Sequence, residues 1–274
     1  MHSVAANGAE IPALGLGTWT LTGKGCTDLV REALSVGYRH IDTARAYDNE
    51  EAVGAGLRAS GTPREKIFVT TKIWYTDLAP ADAVQSAEGS LKRLGLDYVD
   101  LLLIHWPNAK IPLAGTMEAL NRLRERGLTR YIGVANFPTA TLAEAIKLSD
   151  APLVANQVEY HPYLDQTKLM AACRKAGIAF VSYCPLYRDG GLLREPAVMD
   201  AASRHRRTPG QVILRWHVQH QGVVAIPRTS RIERLAENAA LFDFELSQAE
   251  MASITALAER NSRICDYGFS PKWD

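Results

Sequence analysis

The chain has 274 residues, 47% of them hydrophobic and 22% charged, and its 31 lysines and arginines against 30 acidic residues leave a formal charge of +1. This is an ordinary globular composition; it excludes disordered and collagenous classes and removes the bulk electrostatic case for a nucleic-acid or anionic-membrane partner. No apolar run approaches the roughly 18 to 20 residues of a membrane span, and the start, MHSVAANGAEIPALG, has neither the basic region nor the long apolar run of a leader.

The first element is a hairpin: Asn7-Gly8, a dipeptide suited to positive φ, separates the short apolar segments Val4 to Ala6 and Ile11 to Leu14. Eight β-rich runs follow: LGLGTW from Leu14, YRHIDTA from Tyr38, IFVTTKIW from Ile67, YVDLLLIHW from Tyr98, YIGVANF from Tyr131, LVANQVEY from Leu153, IAFVSY from Ile178 and GVVAIP from Gly222. Between them, apolar residues recur three or four apart, and Gly37, Gly61, Gly95, Gly127 and Gly177 close many of these helical stretches. Eight β-then-α units predict a (β/α)8 TIM barrel with an N-terminal β-hairpin, residues 1–274 forming one domain. The longer connection Tyr187 to Pro196 then overhangs the active face. Cys26, Cys173, Cys184 and Cys265 contain no C-x-x-C pair, so free thiols in a reducing cytoplasm are expected.

Catalytic groups of such barrels gather at the C-terminal ends of the strands, where the sequence places Asp42, Tyr47, Lys72 and His105. A lone Asp or Lys there is more often half of a satisfied ion pair, but the four together have a chemical logic. Aspartate and lysine from adjacent strands pair, a lysine beside a tyrosine favours the phenolate, and a neutral His105 polarises a carbonyl oxygen. His40, one pleat deeper than Asp42, reads as a buried core histidine, and His205, His217 and His220 fall in a long polar helical region without metal-binding spacing. Gly15-Leu16-Gly17 fails as a dinucleotide fingerprint, because Thr20 stands where the third glycine belongs; it reads instead as a tight strand exit placing Thr18 and Trp19 over the mouth. Asn136 and Gln157 suit a carboxamide, Tyr183 offers a flat face, and Arg228, Arg231 and Arg234 follow the last strand. Ser230 and Glu233 have the spacing of a capping box, which predicts a helix start facing a phosphate.

These motifs resemble the aldo-keto reductase superfamily from end to end: LGLGTW, GYRHIDTA, Tyr47 with Asn49-Glu50, TKIW, DLLLIHWP, Asn136-Phe137, Asn156-Gln157 and Ile226-Pro227-Arg228. The resemblance implies NADPH bound without a Rossmann fold and carbonyl reduction by a tetrad in which Tyr47 donates the proton, Lys72 and Asp42 tune it, and His105 orients the substrate. It further implies that Asn136, Gln157 and Tyr183 hold the nicotinamide, with Thr18, Trp19, Pro185 and Leu186 on the cofactor surface. Arg228, Thr229 and Arg234 would meet the 2′-phosphate and Asn238 the adenine, while Trp19, Trp74 and Trp106 with His105 would line the substrate pocket. The short loops and the ending PKWD are similar to the bacterial 2,5-diketo-D-gluconate reductase B group, which also reduces methylglyoxal-like aldehydes. Ala135 and Cys184 depart from the family's usual serines. A soluble cytoplasmic monomer with a small carbonyl substrate and no metal is expected. A Lys72 Schiff-base lyase and a nicotinamide-binding regulatory barrel are the alternatives.

Overall fold

A computed structural model describes residues 2–274. Strands β1 (Ser3–Ala6) and β2 (Ala9–Pro12) form the antiparallel hairpin, turned by Asn7 and Gly8 at φ of 44° and 88°. The Asn7 amide donates to the carbonyls of Leu153 (2.7 Å) and Ala176 (3.1 Å), which fixes the hairpin across the start of a barrel strand.

The eight parallel strands are β3 (Leu16–Gly17), β4 (His40–Asp42), β5 (Phe68–Ile73), β6 (Val99–Ile104), β7 (Thr129–Ala135), β8 (Leu153–Glu159), β9 (Ala179–Tyr183) and β10 (Val223–Ala225), paired in chain order. Each overlaps a run expected as a strand. A parallel bridge between Leu14 and Ala225 joins the last strand to the first, so the sheet closes as a (β/α)8 barrel. Every residue of β5 and β6 is buried, because helices cover the outside while side chains fill the inside.

Helices α1 (Gly23–Ser35), α2 (Glu50–Ala59), α3 (Pro80–Leu94), α4 (Leu113–Glu125), α5 (Thr139–Leu148) and α6 (Thr167–Lys175) follow β3 to β8 in turn. Two helices, α7 (Pro196–His205) and α8 (Pro209–Gln219), separate β9 from β10, after which come α9 (Glu233–Ala239) and α10 (Gln248–Thr255). His217 is not on a polar face as expected; α8 turns it inward, where it is fully buried with Nε2 3.1 Å from the Pro185 carbonyl. His40 is the buried histidine anticipated, 3.0 Å from the Thr70 hydroxyl.

Gly17 shows why the first strand carries glycine at its exit. A Cβ there would stand 2.9 Å from the Ile226 carbonyl oxygen, yet the Gly17 N–H must come close enough to donate to the Pro227 carbonyl at 3.0 Å. That contact brings Thr18 and Trp19 beside the loop that follows β10, at the mouth of the barrel.

Candidate active site

Asp42 ends β4, and the chain passes directly into a single 3₁₀ turn, Arg45–Tyr47, stopped by Asp48 at φ 52°. Asn49 holds the turn from behind, its amide donating to the carbonyls of Thr18 (2.8 Å) and Leu21 (2.9 Å) while its oxygen accepts from the Thr43 hydroxyl (2.7 Å). Glu50, buried, accepts from Thr71 at 2.6 Å and pairs with Arg93 at 2.7 Å. These bonds set Tyr47 against the end of β5.

Lys72, fully buried, donates to Asp42 Oδ1 at 2.6 Å, to the Thr43 carbonyl at 2.8 Å and to Tyr47 Oη at 3.4 Å. The other Asp42 oxygen accepts from Gln157 Nε2 at 2.6 Å. Burial pulls the Lys72 pKa down against the opposing effect of Asp42. For Tyr47 the direction differs from the sequence expectation: burial first, and then the Asp42 carboxylate, hold its pKa well above the ordinary phenol value. The Lys72 charge is already met by Asp42, so it does not draw the buried phenol towards neutrality, and Tyr47 keeps its proton.

His105 follows β6 with its ring 5.6 Å from that of Tyr47 and 5.1 Å from that of Trp74, both edge-on. Burial, and after it the Lys72 charge, hold its pKa well below the usual value, so the imidazole is neutral. Its Nδ1 is buried without a partner. The Asn136 amide donates to the His105 carbonyl at 2.9 Å and accepts from Tyr183 Oη at 2.8 Å, so Asn136 and Gln157 are knitted into the site by their neighbours.

These groups surround a cavity of about 950 Å³, a size within the range of small-molecule sites. Tyr47, His105, Asn136, Gln157 and Tyr183 line its floor, and Lys72 lies beneath them. Trp74 and Trp106 form one wall; Trp19, 45% exposed, stands at the rim with Arg228 Nε 3.3 Å from its carbonyl. Pro185 and Leu186 also line the cavity, as does Thr18, whose hydroxyl is committed to the Asp42 carbonyl at 2.9 Å. Thr229, Arg234 and Asn238 lie outside the cavity lining, in the segment after β10.

The expected capping box does not form. Helix α9 starts at Glu233 behind Ile232, with no side-chain cap. The Thr229 hydroxyl instead accepts from the Arg231 N–H at 3.0 Å, making a turn before the helix begins.

Sequence reasoning missed the C-terminal tail. Glu159, fully buried at the end of β8, accepts from the N–H groups of Ile264 and Cys265, both at 2.6 Å, and lies 2.9 Å from His161 Nε2. Burial pushes its pKa up, but these hydrogen bonds outweigh it and leave the carboxyl below its ordinary value. The anchor lays Cys265, Tyr267 and Phe269 into the cavity wall. Phe269 stacks on Tyr75 at 4.4 Å and meets Trp74 and Trp106 edge-on at 5.8 and 5.5 Å. The aromatic residues Tyr267 and Phe269 close to the end of the sequence were the available signal; a turn through Gly268 and Phe269, closed by the Ser270 N–H on the Tyr267 carbonyl at 2.8 Å, presents them to the cavity. Arg45 and Arg188 also line the cavity unforeseen.

Among the described residues, no group of three or more His, Cys, Asp or Glu is arranged to hold a metal, and no helix is long and apolar enough to cross a membrane. The model of the Aldo/keto reductase family matches residues 13–259. The chain is 44% identical over 252 residues to the glyoxal reductase of Bacillus subtilis, spanning 92% of this chain and 90% of that protein. It is 39% identical over 267 residues to methylglyoxal reductase DkgB of Escherichia coli O157:H7, spanning 96% and 99%. A crystal structure named as a candidate 2,5-diketo-D-gluconic acid reductase B superposes with a TM-score of 0.97 at 44% identity, over 100% of this chain and 98% of that one.

Proposed function

The chain belongs to the aldo/keto reductase family and is an oxidoreductase acting on carbonyl groups; from that premise we propose NADPH-dependent reduction of small dicarbonyls or keto-sugar acids, with Tyr47 as the proton donor. The observation that carries this reading is Lys72, bonded at once to Asp42 and Tyr47 beneath a cavity that also presents a neutral His105.

A bound nicotinamide cofactor supplies hydride to the carbonyl carbon. The residues suit such a group: Tyr183 presents its ring to the cavity, and Arg228, Arg231 and Arg234 form no ion pair with any described carboxylate, leaving cations free for a phosphate. His105, neutral and without a hydrogen bond from its ring to the protein, orients the carbonyl oxygen beside Tyr47 Oη. Tyr47 passes its proton to that oxygen. Lys72, already donating to Tyr47, stabilises the phenolate that forms, and Asp42 with Gln157 keeps Lys72 charged and aimed. Trp74, Trp106 and Phe269 exclude water from the reacting carbon. The relatives named glyoxal and methylglyoxal reductase favour a small vicinal dicarbonyl over a bulky ketone. The Schiff-base reading loses support, because Lys72 is fully buried and holds three partners below the cavity floor.

The test is Tyr47→Phe. Fluorescence titration is expected to show unchanged NADPH binding, while the cofactor-absorbance assay loses turnover by at least roughly 100-fold, the scale of a removed general acid. Turnover at the wild-type rate in this variant overturns the mechanism. Tight NADPH binding by the wild type without turnover over a broad carbonyl panel favours the regulatory barrel instead.

A further inference from the structure

Two cysteines 81 positions apart in sequence share the mouth of the barrel. Cys184 follows Tyr183 at the end of β9, in the left-handed region at φ 51°, and Cys265 lies on the anchored tail; both line the cavity. One Arg188 nitrogen reaches both sulfurs, at 3.8 Å for Cys184 and 3.3 Å for Cys265, so a single donor brings the two thiols together. The same guanidinium lies 4.8 Å over the Trp19 ring. The remaining cysteines, Cys26 and Cys173, are buried under α1 and α6 and meet neither.

We propose that Cys184 and Cys265 are a dithiol oxidation site, in which a hydroperoxide converts the pair to a disulfide that ties the C-terminal tail to the end of β9.

The environment divides the labour between the two sulfurs. The neighbouring Cys184 thiol lowers the pKa of Cys265 against the effect of burial, with Tyr267 and the Arg188 charge adding to it and Glu159 opposing it. The neighbouring Cys265 sulfur and burial raise the pKa of Cys184, which keeps its proton. Cys265 is therefore the attacking thiolate. Its sulfur takes the distal oxygen of the hydroperoxide, the O–O bond breaks, and the alcohol leaves with a proton. Cys184, giving up its own proton, then attacks that sulfur; the S–S bond forms, the S–O bond breaks and water departs. The two thiols lose two electrons and two hydrogens, and the hydroperoxide becomes alcohol and water.

The experiment treats the full-length protein with tert-butyl hydroperoxide, without cofactor or carbonyl substrate, and maps thiols by alkylation and peptide mass. The expected result is a Cys184–Cys265 linked peptide, reversed by dithiothreitol, with Cys26 and Cys173 still alkylated. In Cys184→Ser, Cys265 is expected to stop at a sulfenic acid trapped by dimedone, and in Cys265→Ser the consumption of Cys184 slows by at least about tenfold. Both mouth cysteines remaining reduced while the protein stays folded, or a disulfide formed with Cys26 or Cys173, overturns the proposal. So does Cys184 oxidising in Cys265→Ser as fast as the wild-type pair. No outcome depends on carbonyl reduction, so the result stands apart from the proposed catalytic function.

Discussion

Two aspartates at opposite rims of the barrel are both buried and both paired, but with different bases. At the foot, Asp100 near the start of β6 takes Arg64 at 2.7 Å and Arg130 at 3.3 Å, together with the Val69 N–H at 2.9 Å. Both arginines keep part of their side chains in water, 22% and 46%, and both lie over the Tyr98 ring at 4.2 and 4.4 Å. At the mouth, Asp42 takes a lysine with no exposure at all. A guanidinium stays charged wherever it sits, so the foot is a fixed electrostatic clamp; a buried ammonium depends on its partner to remain charged, so the mouth is a coupled unit whose protons can be moved. The same residue type, placed by the same strand geometry, is a clamp at one end and, in the proposed mechanism, part of the chemistry at the other.

The largest expected effect follows from breaking the pair at the mouth. Lys72→Met leaves Asp42 buried without its cation, which is expected to destabilise the protein by about 3–5 kcal/mol in denaturant unfolding and to abolish carbonyl reduction. Adding Asp42→Asn is expected to restore much of the stability and none of the turnover. If the double variant recovers activity together with stability, the pair is structural, and the contrast with Asp100 disappears.

A pH titration sharpens the comparison from inside the barrel. His40, one pleat below Asp42 on β4, is held neutral chiefly by burial, with its pKa pushed down to about 4. The unfolded chain protonates it near pH 6.5, so between those values the unfolded state binds more protons and stability falls as the pH falls. The loss by pH 4 is expected to be on the order of 3 kcal/mol from this residue. His40→Gln should flatten that slope in urea unfolding measured from pH 7 to 4. An unchanged slope would place the acid sensitivity elsewhere.

The barrel itself was legible because its strands are short β-rich runs separated by helical stretches that close on glycine, and Lys72 and His105 stood out as ionisable groups ending faces that are otherwise largely apolar. The tail was not, since Glu159 and Cys265 are 106 positions apart and a buried glutamate at a strand end looks no different from an exposed one until its N–H partners are known. The capping box failed for a local reason: Thr229, 7% exposed, engages the Arg231 N–H before Ser230 can act on the helix. The Tyr47 pKa departs from the expectation because the Asp42–Lys72 pair, itself legible, leaves little net charge to favour the phenolate, while the burial of the phenol is not legible in the sequence.

At the foot, the milder counterpart is Asp100→Asn. Its arginines can turn their exposed ends to water, so the expected loss is only that of charged hydrogen bonds, about 1.5–3 kcal/mol, with kcat and KM unchanged in the folded protein. A fall in kcat comparable to that of the mouth variants would mean the two rims are coupled through β6.

The smallest effect distinguishes arginines by their pairing. Arg64 and Arg130 have a carboxylate, whereas Arg228, exposed at the mouth, has only the Trp19 carbonyl at 3.3 Å. An unpaired guanidinium adds little to stability, so Arg228→Ser should leave unfolding nearly unchanged. What it should alter is the discrimination between cofactors that differ by one phosphate. A solvent-screened charge-assisted contact is worth roughly tenfold, so the KM for NADPH should rise by about that factor while the KM for NADH stays constant. Arg234→Ser, on α9 and outside the cavity lining, should add to the effect if its side chain swings towards the same phosphate. Equal shifts for both cofactors would mean that Arg228 holds the rim loop through Trp19 and does not read the phosphate.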